Sequence, residues 1–481
     1  MNRNMVFYII GNIVKIEALL MLLPMFVSLY YGESAVYAFA ITIMIAMVFG
    51  FALTLIFKPK NTVIFAKEGF LVVALAWVIL SLVGALPFFI SREIPNFIDA
   101  VFETVSGFTT TGASILPNVE AMSKGLLLWR SFTHWVGGMG VLVFVMAVMP
   151  KVTDRSIHII RAEVPGPIVG KLVPKARNTA VILYLIYVAI TVIEIIFLLF
   201  GGMPLFDSVV HAFGTAGTGG FGIKADSVAG YSSYLQWVIA VFMLIFGINF
   251  NLYYLIILKK VKEALSGVEL WIYLAIIAVA TGLIAYDLIP RYENIADCLR
   301  LSFFQVSSII TTTGYSTANF DLWPSLSRGI IFVLLFIGGC AGSTAGGFKL
   351  SRVILLFKSI GNELKRMLHP RSVTCIKFEG KPVEKQTIDG VGIYLSIYAV
   401  CLAAVFLFIC HEPFGLETNV SAAITCFNNV GPGFAAVGPM GSFADYSGIS
   451  KIVLSFAMLL GRLEIFPIIF LFSPSAWMKS K

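Results

Sequence analysis

Four short strings, each with glycine as its fourth residue, recur along this 481-residue chain. Two are nearly identical, TTTGAS at 109–114 and TTTGYS at 311–316, and two are looser, GTGGFG at 217–222 and NNVGPG at 428–433. Glycine permits backbone angles that let a strand present successive carbonyl oxygens on one side. Threonine and serine add hydroxyl oxygens, and no string contains a charged residue. Neutral oxygens of this kind can replace the water shell of an alkali cation.

The charge and the spacing of the strings limit the kinds of pore that they could form. They contain no aspartate or glutamate, which argues against a calcium-type pore, and no lysine or arginine, which argues against an anion pore. A single string could equally be a glycine turn with threonine caps. However, the strings recur roughly every hundred residues, each between a short segment and a long apolar one. We therefore interpret the chain as four diverged repeats whose strings meet at one axis.

The rest of the composition indicates a membrane protein. The chain is 58% hydrophobic and 12% charged, whereas soluble chains are about 25% charged. About ten charge-poor stretches are long enough to cross a bilayer. They are 5–31, 36–57, 69–90, 125–149, 178–200, 235–258, 270–289, 329–356, 388–410 and 452–472. A large soluble core, the alternative explanation, does not require so many long apolar segments.

Basic residues predict the orientation. Lysine and arginine are concentrated in the loops 151–177 and 358–385, with smaller lysine clusters at 58–67 and 259–262. The positive-inside rule makes these loops cytoplasmic and puts all four strings on the outer side. The N- and C-termini are then both predicted to be cytoplasmic. The net charge of +8 follows mostly from this topology, and no basic stripe interleaved with aromatic residues suggests nucleic-acid binding.

The order of segments predicts the fold. Each repeat has a spanning helix, an outer turn, a segment of about a dozen residues that is too short to span, the string, and a second spanning helix. We expect the short segment to be a re-entrant pore helix, capped in repeats 1 and 2 by Asp99 and Asp207. The predicted fold is an all-α integral membrane protein with four helix–pore loop–helix repeats in pseudo-fourfold symmetry around a central pore, plus two N-terminal helices. The predicted boundaries are 1–62 for those helices, then 63–160, 161–264, 265–372 and 373–481 for the repeats.

A glycine-rich segment interrupts the third repeat. The sequence GGCAGSTAGG at 338–347 has five glycines in the middle of an otherwise apolar segment. So many glycines should break a helix there. Non-helical backbone at membrane depth survives only beside protein partners or a wet cavity, so this stretch is expected to border the ion path. The alternative is close helix packing through small residues.

Charged residues in the apolar segments are the remaining candidates. Arg462 and Glu464 lie in the last such segment, where an arginine usually faces a partner or a cavity. The alternatives for Arg462 are a side chain that reaches the membrane surface or one that pairs with Glu464. Lys349 and Arg352 are either similar or simple cytoplasmic anchors. We expect His134 at the outer interface.

Nothing in the sequence predicts an enzyme. The chain has no nucleophile–base set, no phosphate-binding loop and no dinucleotide fingerprint. Its six cysteines are scattered without disulfide or zinc spacing. A nucleotide, if one is involved, is therefore expected to act through a partner chain.

Several motifs together resemble a known family. RSFTHWVGGMGVLVF at 130–144, GGCAGSTAGGFKLSR at 338–352, and the strings TTTGAS and NNVGPG are similar to the TrkH/KtrB/HKT superfamily of potassium transporters, most of all its bacterial TrkH branch. The resemblance covers the whole chain. It implies potassium uptake by a single-chain pore in a bacterial cell (inner) membrane, surrounded by lipid. It also implies a homodimer and a cytoplasmic regulatory ring of the TrkA or RCK type that binds nucleotide.

The resemblance also implies residue roles. Potassium would be bound in a filter made by Thr110, Thr111, Gly112, Gly219, Gly220, Thr312, Thr313, Gly314, Asn429, Val430 and Gly431. The gate would comprise Gly338, Gly339, Gly342, Ser343, Thr344, Gly346, Gly347, Lys349 and Arg462. Plant members with serine at the first filter glycine favour sodium, so Gly112 implies potassium. The alternative function is a secondary transporter that couples Na⁺ or H⁺ to a solute or to K⁺.

Overall fold

The computed structural model describes residues 2–60, 65–140, 176–292, 294–370 and 375–477. Helices make up almost all of the regular structure in these ranges. The one exception is an antiparallel ribbon of two short strands, β1 (Lys377–Phe378) and β2 (Lys381–Pro382). The α-helices are α1 (Arg3–Leu20), α2 (Leu22–Tyr30), α3 (Ala35–Ile56), α4 (Ala66–Gly84), α5 (Leu86–Ile90), α6 (Phe97–Phe108), α7 (Lys124–Gly138), α8 (Ala176–Phe200), α9 (Leu205–Gly217), α10 (Ser233–Phe246), α11 (Phe250–Ile257), α12 (Val261–Leu265), α13 (Val268–Leu288), α14 (Ile295–Ile310), α15 (Ser325–Leu334), α16 (Leu350–Leu368), α17 (Lys385–Ile409), α18 (Leu416–Asn428), α19 (Gly448–Arg462), α20 (Phe466–Phe472) and α21 (Pro474–Trp477).

The predicted fold class is confirmed: this is an all-α, multi-pass integral membrane protein. Six helical segments of the described ranges are long and apolar enough to span a bilayer, and α10 with α11 makes a seventh if that bent pair is one span. The six are Arg3–Tyr30, Ala35–Ile56, Lys67–Ile90, Ala180–Phe200, Val268–Leu288 and Lys385–Ile409. The first two precede the four repeats. The remaining four are the first helices of the repeats.

The second helices of repeats 2, 3 and 4 are broken, which accounts for most of the difference from the ten expected spans. α10 and α11 meet at 89°. Residues 335–349 separate α15 from α16, and residues 463–465 separate α19 from α20. We expected a break only at 338–347, so the unbroken spans predicted at 235–258 and 452–472 are wrong. The predicted span 125–149 runs into residues outside the described ranges.

The breaks have local causes. Glu464 and Ile465 both have positive φ, and Pro467, at the start of α20, has no N–H to continue the helix. Asn249, between α10 and α11, starts the new helix by accepting a hydrogen bond from Asn251 N at 2.9 Å. Broken helices in a membrane require protein or water on the exposed backbone. The breaks therefore indicate which helices face the interior of the protein.

Four short helices, α6, α9, α14 and α18, end at the four strings, as predicted for pore helices. The predicted caps are wrong. Asn96 and Pro204 are the N-caps of α6 and α9, and Asp99 and Asp207 lie in the first turn of these helices. A carboxylate in the first turn still interacts favourably with the partial positive charge at the helix N-terminus. Asp99 also pairs with Lys451 of α19 at 2.7 Å, which joins repeat 1 to repeat 4.

The repeats pack around the pore helices in cyclic order. α7 of repeat 1 contacts α9 of repeat 2, α10 contacts α14 of repeat 3, and α19 of repeat 4 returns to α6 of repeat 1. Repeats 3 and 4 meet where the rings of Phe320 and Phe434 lie 5.4 Å apart. Apolar clusters fill the spaces behind this ring of helices, and the N-terminal α1 packs on α3 and α4 at its edge.

Candidate functional site

Each pore helix ends in the same left-handed turn, and that turn begins the string. The second residue of every string has φ between 54° and 56°, and these residues are Thr110, Thr218, Thr312 and Asn429. The next residue donates its backbone N–H to the last turn of the pore helix, as Thr111 N does to Ser106 O at 2.9 Å. The equivalent donors are Gly219, Thr313 and Val430. This closure is of the Schellman type, and it sets how each string leaves its helix.

Positive φ at threonine is unusual because the side chain is β-branched. The structure nevertheless repeats it at three of the four strings. Strained backbone of this kind concentrates at functional sites, where surrounding contacts enforce it. The strings are therefore built for a particular backbone path, which both TTTG and NNVG sequences adopt.

The four string glycines form a closed ring of close backbone contacts. A Cβ atom built on Gly112 would lie 2.1 Å from the carbonyl oxygen of Gly219 in string 2. The equivalent distances are 2.0 Å from Gly220 to Thr313 O, 2.3 Å from Gly314 to Val430 O, and 2.6 Å from Gly431 to Thr111 O. Each string thus meets the carbonyl of the next, and the fourth returns to the first. The four φ angles of 75° to 95° add a second reason why only glycine fits.

The hydroxyl groups of strings 1 and 3 brace these backbones. Thr109 Oγ1 lies 2.8 Å from Thr111 Oγ1, and Thr311 Oγ1 lies 2.7 Å from Thr313 Oγ1. Asn429 Nδ2 donates to Thr111 Oγ1 at 3.0 Å and thereby ties string 4 to string 1. These side chains bond to one another. The ring's inter-string contacts consequently come mainly from carbonyl oxygens.

A cavity of about 430 Å³ opens above the ring. All four string glycines lie along it, together with the charged side chains of Arg130, Lys224 and Asp445. It opens onto the protein surface. The ring therefore separates this wide polar mouth from the protein interior, as the entrance to an ion path would require.

Sequence reasoning missed an ion pair behind the ring. Arg130 Nε lies 2.5 Å from Glu103 Oε1, and both side chains are buried. Glu103 accepts from Ile115 N at 2.9 Å, after string 1, and Arg130 donates to Gly222 O at 2.9 Å, at the end of string 2. The pair therefore joins two strings. The available signal was a glutamate inside the first pore helix, which has no place in an apolar packing surface.

The expected outer position of His134 is wrong. Its ring is completely buried, with Nδ1 2.7 Å from Gly107 O, the carbonyl oxygen of the first pore helix. A Cβ on Gly219 would lie 2.3 Å from that ring. His134 therefore packs directly behind string 2, where its contacts hold the string from outside the ring. The sequence carried no local signal for this, because the contact joins repeats 1 and 2.

The segment 338–347, here called the intramembrane loop, lies between α15 and α16. Its ends meet where Gly338 N donates to Phe348 O at 3.0 Å. Gly346 N donates to Thr312 Oγ1 at 2.6 Å, so the loop touches string 3 directly. A Cβ on Gly346 would also lie 2.9 Å from Asn429 Cβ in string 4. The loop therefore lies against two strings.

The intramembrane loop also fills the break between α10 and α11. Cys340 N donates to Gly247 O at 3.0 Å, and Phe250 N donates to Gly342 O at 3.0 Å. Gly342 has a φ of 73°. These bonds satisfy backbone groups that the bent helix pair leaves open. The predicted gate residues Gly338, Gly339, Gly342, Ser343, Thr344, Gly346 and Gly347 are thus brought together in one loop.

Arg462 bonds the intramembrane loop. Its guanidinium donates to Thr344 O at 2.9 Å and to the carbonyl oxygens of Gly137 and Gly138, both at 2.7 Å. Glu464, the alternative partner, instead pairs with Arg352 of α16. The geometry thus supports neither a side chain that reaches the membrane surface nor an Arg462–Glu464 pair.

Lys349 and Arg352 are not surface anchors. Both residues are buried, at 1% and 6% exposed. Lys349 Nζ donates to Ala345 O, within the intramembrane loop. Two basic side chains, Lys349 and Arg462, therefore donate hydrogen bonds to carbonyl oxygens of the same loop.

The geometry of the ring and the helices indicates the class of protein to which this chain belongs. A multi-pass helical protein in which four pore helices converge on a ring of neutral oxygens is a membrane transport protein. The chain belongs to the TrkH family, whose model, described as a cation transport protein, matches residues 35–274 and 274–481. The family is one of transporters and not of enzymes. The resemblance noted from the motifs is thus confirmed.

Individual relatives match over nearly full length. The chain is 35% identical over 486 residues to the Trk system potassium uptake protein TrkH of Salmonella typhimurium, with 98% of each chain covered. It is 33% identical to TrkG of Escherichia coli K12, again over 98% of each chain. The crystal structure of the potassium transporter TrkH from Vibrio parahaemolyticus matches with a TM-score of 0.87 at 30% identity, covering 99% of this chain and 100% of that one.

Proposed function

We propose that this protein carries potassium ions into the cell through a central pore, with the four strings as its selectivity filter. The observation that carries the proposal is the closed ring in which each string glycine meets the carbonyl of the next string. Carbonyl oxygens arranged around an axis substitute for the hydration shell of K⁺. The choice of ion is supported by the relatives TrkH of Salmonella typhimurium and TrkG of Escherichia coli, which are potassium uptake proteins.

Within this proposal, K⁺ is bound by the string backbones. The filter residues are Thr110, Thr111, Gly112, Gly219, Gly220, Thr312, Thr313, Gly314, Asn429, Val430 and Gly431. The carbonyl groups are the principal ligands, and the threonine hydroxyls of strings 1 and 3 brace them. The buried Glu103–Arg130 pair keeps strings 1 and 2 in register.

The intramembrane loop acts as the gate. This role is supported by the hydrogen bond from Gly346 N to Thr312 Oγ1, through which the backbone of the loop contacts string 3. Arg462 holds the loop in place through Thr344 O and adds positive charge beside the path. A positive charge there raises the electrostatic barrier to cations while the loop is in position.

The assembly and location complete the proposal. The protein works as a homodimer in a bacterial inner membrane, with both termini in the cytoplasm. A cytoplasmic ring of the TrkA or RCK type, which binds nucleotide, regulates it. The concentration of basic residues in the loops opposite the strings supports this orientation.

Reconstituted ion flux tests the function. Purified protein in liposomes is expected to pass K⁺ and Rb⁺ down their gradients faster than Na⁺ or Li⁺, without any organic solute. Adding a nucleotide-binding cytoplasmic partner should change the rate but not the order of ions. Equal flux of all four ions, or flux that requires an organic solute, would contradict the proposal.

One observation favours proton-coupled K⁺ uptake as a second candidate. Glu17 of α1 is 2% exposed, and neither of its carboxylate oxygens has a hydrogen-bond partner within the described ranges. Ionisable groups inside membranes frequently relay protons. The same liposomes decide between the candidates: coupling requires that an imposed pH gradient drive K⁺ against its own gradient, whereas a simple pore cannot do this.

A further inference from the structure

The ribbon β1–β2 lies against the start of α13, the first helix of repeat 3. α13 leads from this end towards the pore helix α14, so the ribbon is at the end of the helix remote from the strings. The N-cap of α13 is Gly267, which has no side chain to accept a hydrogen bond from the open N–H groups of the first turn. Glu379, at the ribbon tip, supplies the acceptor: Glu269 N donates to Glu379 Oε1 at 3.0 Å.

The same Glu269 reaches the intramembrane loop with its side chain. Ala341 N donates to Glu269 Oε1 at 2.8 Å, and Glu269 is buried. One residue therefore contacts the ribbon through its backbone and the loop through its carboxylate. The ribbon and the loop are therefore joined by two consecutive hydrogen bonds, each accepted by a carboxyl oxygen of a glutamate.

The ribbon tip breaks a local rule. Glu379 and Gly380 both have positive φ, at 47° and 73°. Two-residue hairpin turns with this geometry favour asparagine, aspartate or glycine at the first position. A glutamate there is conformationally costly and gains nothing within the turn itself. The hydrogen bond that its carboxylate accepts at the N-terminus of α13 compensates for this conformational cost.

The ribbon itself is well anchored but has space beside it. Ile376 and Phe378 are buried in the apolar cluster of repeat 3, and Lys358 Nζ of α16 donates to Lys377 O at 2.8 Å. A cavity of about 180 Å³ adjoins the connection, and both Glu269 and Glu379 line it. The ribbon tip therefore has unfilled volume beside it.

We propose that Glu379 and Glu269 are positioning residues that connect the ribbon to the intramembrane loop, so that the ribbon sets the position of the loop. The connection runs from Glu379 through Glu269 to Ala341, and along the loop to Gly346, which bonds Thr312 of string 3. Its effect on ion flux rests on the gating role proposed above. The connection itself does not.

Hydrogen exchange of the full-length protein in lipid nanodiscs tests the connection, read out in peptides that contain Ala341. Glu379→Ala removes the acceptor at the ribbon tip. Loss of a charge-assisted bond is expected to speed exchange in the loop roughly tenfold. Glu379→Gln keeps an acceptor oxygen without the charge and should give an intermediate rate. Glu384→Gln, an exposed glutamate that follows the ribbon, is the matched control and should exchange like the unmodified protein.

Two results would overturn the connection. One is an unchanged loop rate in Glu379→Ala. The other is faster exchange in every helix alike, which would mean general loosening, so a peptide from α9 is followed as the reference. K⁺ flux is measured on the same samples. Faster loop exchange with unaltered flux would leave the connection standing and contradict the gate, so the two proposals can fail separately.

Discussion

The ring of strings and the intramembrane loop are both irregular backbone inside a helical membrane protein, but they are held in different ways. The ring repeats one set of backbone contacts four times, as the matched φ angles and glycine–carbonyl distances show. The loop occurs once. Besides its backbone bonds to the break between α10 and α11, side chains of three separate elements contact it: Arg462 from α19, Glu269 from α13 and Thr312 from string 3. Backbone contacts tolerate varied side chains, whereas side-chain contacts can be released individually. The ring is therefore suited to constant selectivity, and the loop to regulation.

The largest effect is expected from Gly112→Ser, which attacks the ring. A Cβ there would overlap Gly219 O, and the φ of 78° disfavours any side chain. We expect the K⁺/Na⁺ flux ratio in liposomes to fall about tenfold or more, because displacing a backbone carbonyl costs more than ~1.4 kcal/mol. Gly202→Ser is the control, since Gly202 has a φ of 80° but open space around it. An unchanged ratio for Gly112→Ser would remove this residue from the filter.

The second-largest effect is expected from shortening the intramembrane loop. Deleting residues 342–345 removes Thr344 O, the acceptor for Arg462, while the ring keeps its own contacts. Basal K⁺ flux is expected to rise by roughly tenfold, the equivalent of losing one bond to a charged group, with the K⁺/Na⁺ ratio retained. Tracer uptake checks this, with size-exclusion profiles to verify folding. Low flux from a well-folded deletion would favour helix packing as the role of this segment.

Arg462→Ala should act in the same direction more weakly. The loop loses one anchor but retains Glu269 and Thr312. We expect basal flux to increase about fivefold, somewhat less than the full value of a charged hydrogen bond. Arg462→Lys keeps the charge but has fewer hydrogen-bond donors. Its basal flux should lie between that of the unmodified protein and that of Arg462→Ala. Flux that stays low in Arg462→Ala would contradict the gating role of this residue.

The smallest effect is expected from Thr111→Val. The substitution keeps the shape of the side chain but removes the hydroxyl that bonds Thr109 and Asn429. Because the carbonyl oxygens remain, the K⁺/Na⁺ ratio should fall by only about threefold, the size of a neutral hydrogen bond. Competition between Rb⁺ and Na⁺ uptake measures it. A collapse of selectivity as large as that of Gly112→Ser would show that the hydroxyls are ion ligands.

Local features were predictable because their causes are local. The pore helices could be placed because a dozen residues cannot span a bilayer. The break at 338–347 followed from its five glycines. By contrast, the breaks at 247–249 and 463–465 were missed, because single Asn and Glu residues in apolar segments do not by themselves indicate a break. The caps Asp99 and Asp207 were wrong by three positions, since a first-turn acid and an N-cap look alike in sequence.

The sequence by itself therefore determined the membrane class, the four repeats, the pore helices, the glycine of each string and the family. Composition, hydrophobic length and turn chemistry act over a few residues, so they can be read along the chain. Only the tertiary structure decided that each string glycine meets the next string's carbonyl, that Arg130 and Glu103 brace two strings, and that Arg462 binds Thr344 O and not Glu464. Those contacts join residues far apart in the chain. They depend on how the helices cross, and no local pattern records that.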